Sequence, residues 1–145
     1  MRTIWVVVAD SARARLFEAE SPTAPLTELE DMLNPAGRLR DQDLNADAPG
    51  RSFDSFGEGR HAMGKHNDPQ RQEAIRFAQR LAEHLESAFD QQRVARVHLV
   101  VAPAFLGLLR AALSEKLQGV LESELDANLV RHTVKDIRSH LPERL

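Results

Sequence analysis

The chain has 145 residues, of which 42% are hydrophobic and 28% charged, and it carries a formal net charge of -3 without any cysteine. This length predicts one domain with a real core, and the composition excludes disulfides, thiolate chemistry and a basic surface spread over the whole protein for nucleic acid. No apolar run approaches the roughly 20 residues of a membrane span, and the N-terminal run is too short for a secretion signal. We therefore expect a soluble, cytoplasmic protein.

Three extended segments open the chain. Ile4–Ala9 is a continuous apolar, β-branched run, which suits a strand buried on both faces. Asp10 and Ser11 then signal a turn, and Ala14–Ala19 predicts a second strand whose short connection requires an antiparallel hairpin. Leu26–Leu33 fits a helix as well as a strand, and we interpret it as a third antiparallel strand because a short turn precedes it.

A long glycine-rich segment, Asn34–Asp68, comes next and holds five of the seven glycines. Compact domains rarely contain so long a connection unless it is functional or disordered. It leads into an amphipathic helix, Pro69–Phe89, whose apolar side chains form one stripe. Asn67 or Asp68 can cap this helix, and Pro69 suits its first position.

The remaining residues alternate between strands and helices. The pattern predicts a strand at Val97–Ala102, a helix from Pro103, a helical turn from Ser114, a strand at Val120–Leu125 and a helix at Thr133–Leu141. The resulting order, β-β-β-α-β-α-β-α, predicts an α/β domain formed by the whole chain. It has a mixed five-stranded sheet flanked by helices, which is the ribonuclease H-like topology.

Nuclease activity is the first function that this topology suggests. Two-metal phosphodiester cleavage needs several carboxylates around paired cations. The first strand offers only Asp10, at its end, and the fourth strand contains no acid. We therefore interpret Asp10 as a turn residue.

Two further site patterns fall in the long segment. Residues 59–66 read GRHAMGKH, which has the spacing of a phosphate loop but has His66 in place of the serine or threonine. His61, His66 and Asp68 match no zinc spacing. We expect neither a cofactor nor a metal, and we interpret both patterns as features of a glycine-rich loop.

Four histidines lie outside this segment. His84 is off the apolar stripe of its helix and is predicted to be solvated. His98 falls in a buried strand and is predicted to be a hydrogen-bonded core residue. His132 and His140 are predicted to be surface residues.

Recognition is the best functional interpretation of the long segment, because it combines basic and aromatic side chains. The basic candidates for contacts with phosphates or a partner are Arg51, Arg60, His61, Lys65 and His66. Phe53 and Phe56 lie among them, and basic groups beside aromatic rings suit RNA, whose bases stack on such rings. In the alternative interpretation, the two phenylalanines hold the loop against the sheet and the charges stay in water.

The whole chain resembles the bacterial host-attachment protein family, described as required for attachment to host cells. The matching stretches are WVVVADSARARLF, PGRSFDSFGEGRHAM, EAIRFAQRLAEHLE, VVAPAFLGLLRAAL and ELDANLVRHTVKDIRSHL. That family is similar in turn to the middle domain of archaeal and eukaryotic class I release factors. This resemblance implies a ribonuclease H-like sheet and contact with the ribosome.

In the release-factor domain, a Gly-Gly-Gln loop directly precedes the helix that corresponds here to Pro69–Phe89, and it helps water attack the peptidyl-tRNA ester. The equivalent place here reads RHAMGKHND, with one glycine, Gly64, and no following glutamine. The resemblance therefore implies no catalytic residue in this chain.

Our leading hypothesis is a non-enzymatic protein that contacts the ribosome or RNA through residues 34–68. Two alternatives stay open: a diverged hydrolase of a peptidyl-tRNA-like ester, and a protein-interaction module linked to host attachment, with a protein as partner.

Overall fold

The computed structural model describes residues 2–36 and 68–145. The strands in these ranges are β1 (Thr3–Ala9), β2 (Arg13–Ala19), β3 (Thr27–Leu33), β4 (Val94–Val101) and β5 (Leu121–Asp126). The helices are α1 (Pro69–Asp90), α2 (Pro103–Ala112), α3 (Glu115–Gln118) and α4 (Val134–Ser139).

The strands form one sheet in the order β3-β2-β1-β4-β5. β2 is antiparallel to β1 and to β3, whereas β4 is parallel to β1 and to β5. The predicted α/β fold with a mixed five-stranded sheet and flanking helices is confirmed, and the order is compatible with the ribonuclease H-like topology. The third segment is a strand and not a helix.

Two predicted boundaries shift by more than one residue. β4 begins at Val94, three residues before the predicted start, because Val94 is buried and pairs with Thr3 although exposed Ala95 and half-buried Arg96 interrupt the apolar run. The last helix is shorter than predicted, since Thr133 is its N-cap and accepts a hydrogen bond from the amide of Asp136.

The sheet has a hydrophobic cluster on each face. On one face, α1, α2 and α3 cover the strands, and the rings of Phe77 and Phe105 lie 5.8 Å apart between centroids. On the other face, the segment after β5 covers them through Val130 and Ile137, among others. β1 is central and buried on both sides, as its continuous apolar run predicts.

The direction of the strands defines one functional end of the sheet. β1, β4 and β5 are parallel, and β3 has the same direction because two antiparallel pairings separate it from β1. Four strands therefore finish at the same side, which we call the carboxyl end. In open α/β sheets, ligands bind in crevices outside this end.

Candidate binding site at the carboxyl end of the sheet

A cleft of about 540 Å³ opens at the carboxyl end. Its walls come from the β1–β2 turn, the start of α2 and the segment after β5. The residues that line it include Asp10, Ser11, Ala102, Ala104, Asn128, Arg131 and His132. Segments that are distant in sequence therefore meet in one polar depression.

Asp10 builds the floor of this cleft from the end of β1. Its Oδ1 accepts hydrogen bonds from the amides of Ala12 and Arg13, at 2.8 and 2.9 Å, and its Oδ2 accepts one from Asn128 Nδ2 at 3.2 Å. These bonds tie the turn to the segment after β5. The interpretation of Asp10 as a turn residue is confirmed.

Arg131 provides the positive charge of the cleft. It is exposed, and no carboxylate in residues 2–36 and 68–145 forms an ion pair with it. Its backbone is held on both sides by buried Arg15, whose Nη1 donates to the carbonyls of Val130 and His132 at 2.9 and 2.7 Å. The charge at Arg131 is therefore presented from a fixed segment.

The first turn of α2 adds a second positive feature. Ala102 is the N-cap residue and offers no side-chain cap, Pro103 occupies the first position, and no acidic residue lies in the first turn. The amino end of a helix carries a partial positive charge from its unpaired amides. Because Ala102 and Ala104 line the cleft, this charge adds to that of Arg131 and favours an anionic partner. The Asp10 carboxylate in the same cleft partly offsets it, although that carboxylate already accepts three hydrogen bonds.

Asn34 fixes the point at which the long segment leaves β3. Its amide donates to the carbonyl of Ala12 at 2.9 Å, and its Nδ2 donates to the carbonyl of Ser11 at 2.9 Å. Asn34 is only 4% exposed. The chain therefore departs from the rim of the cleft, beside the β1–β2 turn.

The chain returns to the described region at α1. Asp68 caps the helix by accepting from the amide of Gln70 at 3.0 Å, and Pro69 follows it, as predicted. The 22 residues of α1 span about 33 Å, compared with about 23 Å for the seven of β1. Since α1 ends beside the start of β1, where Arg93 joins them, it starts on the side of the carboxyl end.

The family model described as "Protein required for attachment to host cells" matches residues 5–141. The chain belongs to this host-attachment family. A search of the curated proteins finds no match. Nothing in these findings bears on the similarity to release factors.

Each predicted contact residue of this host-attachment protein, Arg51, Arg60, His61, Lys65 and His66, lies outside the described residues. The two phenylalanines and the GRHAMGKH stretch lie outside them as well. What the structure adds is the place where the segment begins and ends, which is the carboxyl end of the sheet.

The histidine predictions have mixed outcomes. His98 is 2% exposed, and its Nδ1 lies 2.7 Å from Ser123 Oγ, so the hydrogen-bonded core histidine is confirmed. His132 and His140 are exposed, as predicted. His84 is only half-exposed rather than fully solvated, because its Nε2 lies 3.3 Å from a Glu30 carboxylate oxygen.

Sequence reasoning missed Arg15, Asn34 and Arg131 as parts of the site. The available signal was the rule that the carboxyl ends of parallel strands gather functional residues, applied to the residues after the fifth strand.

In the described ranges, none of the helices is both long and apolar enough to cross a bilayer.

Proposed function

We propose that this host-attachment family member is a non-enzymatic protein that contacts ribosomal or other RNA through residues 34–68, inside the cell. The observation that carries the proposal is the position of the two anchors, Asn34 and Asp68. Both belong to the carboxyl end of the sheet. There, Arg131 forms no ion pair with the carboxylates of the described ranges, the start of α2 has no side-chain cap, and both features favour anions.

The sequence of the segment supplies the matching chemistry. Its basic side chains, Arg51, Arg60, His61, Lys65 and His66, are the proposed contacts with phosphates, and Phe53 and Phe56 are proposed to stack on bases. Arg131 extends this positive surface onto the rigid domain. The proposal includes a similarity to the release-factor middle domain, since the segment precedes α1 as the Gly-Gly-Gln loop precedes the equivalent helix there.

Catalysis is not part of the proposal, because the stretch RHAMGKHND lacks the Gly-Gly-Gln sequence. A role in attachment would then be indirect, through translation or another process inside the cell.

The test is the salt dependence of binding to ribosomes and to single-stranded RNA. Binding to single strands follows a slope of about -0.7 per neutralised phosphate in log K against log salt concentration. The double variant Arg60→Ala/Lys65→Ala is therefore expected to bind more weakly and to reduce the slope by about 1.4.

The matched control is Arg2→Ala/Arg144→Ala, which removes two exposed charges near the opposite end of the sheet. Arg2 precedes β1, and Arg144 precedes Leu145, whose carbonyl accepts from Arg96 Nη2 at the start of β4. The control is expected to keep the slope of the wild type. Equal binding by wild type and Arg60→Ala/Lys65→Ala at every salt concentration would contradict the proposal.

Two further measurements separate the alternatives. Sedimentation of cell lysate on a sucrose gradient is expected to place the protein with ribosomal particles, and nuclease treatment is expected to release it. Retention on a protein partner after nuclease treatment supports the interaction module instead. Turnover of a peptidyl-tRNA analogue that is lost when residues 61–66 are deleted supports the diverged hydrolase.

A further inference from the structure

Two exposed histidines come together over the short helix α4. Their ring centroids are 5.9 Å apart, with the ring planes at 86°. His132 precedes the helix and His140 ends it, and Asp136 lies four residues from each of them. This helix therefore presents two neighbouring imidazoles on the surface.

Asp136 determines which ring nitrogen of each histidine carries the proton. His140 Nδ1 lies 2.9 Å from the backbone carbonyl oxygen of Asp136, which can only accept, so Nδ1 is the donor. His132 Nδ1 bonds to the Asp136 carboxylate, whose ionised oxygens can only accept, so Nδ1 is the donor here too. In both neutral imidazoles the free lone pair is therefore on Nε2.

This arrangement is the one that metal-binding histidines use. A histidine ligand almost always donates its second ring nitrogen to a carboxylate or a backbone carbonyl, which fixes the ring and the tautomer. Here one residue does so for both rings. Two nitrogens bound to one tetrahedral zinc ion lie about 3.3 Å apart, so the two rings, whose centroids are 5.9 Å apart, have to turn their Nε2 atoms towards each other to share one ion.

We propose that His132 and His140 bind one divalent transition-metal ion through their Nε2 atoms. Imidazole suits Zn²⁺, Ni²⁺ and Cu²⁺, whereas Mg²⁺ and Ca²⁺ prefer oxygen ligands. Exposed Arg131 and Lys135 lie beside the pair in sequence and repel cations in general, so binding depends on the imidazole lone pairs and selects these metals.

The site leaves coordination positions open. In the described part of the chain, no group of three or more histidines and carboxylates is arranged to hold a metal. Two protein ligands therefore leave the other positions of a four-coordinate ion to water or to an exchangeable ligand. His132 also lines the carboxyl-end cleft, so the bound ion would lie at its rim.

Calorimetric titration of the full chain with ZnCl₂ at neutral pH tests the proposal. We expect saturable binding of one ion per chain that excess Mg²⁺ does not displace. His132→Ala and His140→Ala are each expected to weaken binding by more than about tenfold, and Asp136→Asn by about tenfold or more, because loss of such outer partners typically costs 10–100-fold in affinity. Lowering the pH is expected to weaken binding, since protons compete for the same lone pairs.

Two control variants test whether zinc binding depends on His132 and His140 and not on the other histidines. His84→Ala is expected to bind zinc like the wild type, because His84 lies in α1 and is not part of the pair over α4. His61→Ala/His66→Ala is expected to do the same. The proposal is overturned if the wild type shows no saturable binding, if His132→Ala/His140→Ala retains it while keeping the fluorescence of buried Trp5, or if His61→Ala/His66→Ala abolishes it.

Discussion

Two arginines of β2 show how solvent exposure determines the contribution of an ion pair to stability. Arg13 and Arg15 each form a two-pronged hydrogen-bonded pair with a carboxylate of β3. In the pair with Asp31 the side chains are 34% and 40% exposed, whereas in the pair with Glu28 they are 10% and 30% exposed. Solvent screens the first pair far more than the second.

Arg15 also holds the segment that carries Arg131. Its Nη1 donates to the carbonyls of Val130 and His132, and its guanidinium lies 5.1 Å from the ring centroid of Phe17. Removing this side chain leaves two carbonyls and a carboxylate without their donor, and such unsatisfied groups are costly when buried.

We predict that Arg15→Met lowers the free energy of unfolding by about 2–3 kcal/mol, whereas the matched Arg13→Met lowers it by less than about 1 kcal/mol. Methionine keeps an apolar stem in both cases, so the difference reports the lost hydrogen bonds. Urea unfolding followed by the fluorescence of Trp5, the single tryptophan and 1% exposed, measures both. Equal losses in the two variants would show that Arg15 is no more important than a surface arginine.

At the level of elements, the end of α1 contains a strained residue. Gln92 has a φ of 60°, in the left-handed region that favours glycine. Its amide bonds to the carbonyl of Phe89, and the amide of Arg93 bonds to the carbonyl of Ala88. This pair of bonds is the Schellman arrangement, in which glycine is the usual residue at the position of Gln92.

We therefore expect Gln92→Gly to stabilise the protein by about 1 kcal/mol, because glycine adopts this conformation without steric cost. The matched control is Gln91→Gly, one residue earlier, where φ is -82° and glycine relieves nothing. Thermal unfolding of the two variants gives the comparison. A lower melting temperature for Gln92→Gly would mean that the glutamine side chain contributes more than its backbone costs.

The pairings between strands explain which elements the sequence predicts well. β1 follows from a continuous apolar run, β2 follows from the short turn after it, and the two strands pair as predicted. β3 is ambiguous in sequence because Leu26, Leu29 and Leu33 fit a helix as well as a strand. In the structure its half-buried residues, Leu29 and Met32, are three apart. A register shift in the pairing of β2 with β3 accounts for this spacing, and such an irregularity is a property of two strands that one strand's pattern does not reveal.

Across the whole molecule, the candidate site was harder to predict than the fold, for a physical reason. The cleft exists because Asp10 bonds to Asn128 and Arg15 to the carbonyls of Val130 and His132, across more than a hundred residues. These contacts are made by side chains whose local sequence gives no distinctive motif. The long segment is identified by its composition, which marks a region of the chain without fixing its geometry.

The stability of the whole molecule is expected to depend on pH in two separate ranges. Burial lowers the pKa of His98 from its usual value of 6.5, and its buried Nε2 has no partner among the described residues. Hydrogen bonds lower the pKa of Glu86, through Lys116 and Ser114, and of Asp136, through His132. His98 therefore affects stability in the upper pH range, and the two carboxylates affect it in the lower pH range.

In both pH ranges, stability falls as the pH is lowered. Below about pH 6.5 the unfolded chain binds a proton at His98 that the folded chain does not. Stability is therefore complete above this value and falls as the pH is lowered towards the folded pKa of His98, with a slope of up to about 1.4 kcal/mol per pH unit. The two carboxylates are ionised more readily in the folded chain, so they add a further loss only below their ordinary values of 4.5 and 3.8.

We predict that His98→Asn abolishes the loss of stability in the upper pH range and keeps the loss in the lower range. Asparagine places a polar atom near Nδ1, within reach of Ser123 Oγ, but it does not titrate. Urea unfolding at a series of pH values, followed by Trp5 fluorescence, is expected to give a flat stability profile for this variant between about pH 7 and about pH 5, where the wild type loses stability. A wild-type profile that is flat in this range, or a slope that survives in His98→Asn, would show that the charge at His98 is not what opposes folding in acid.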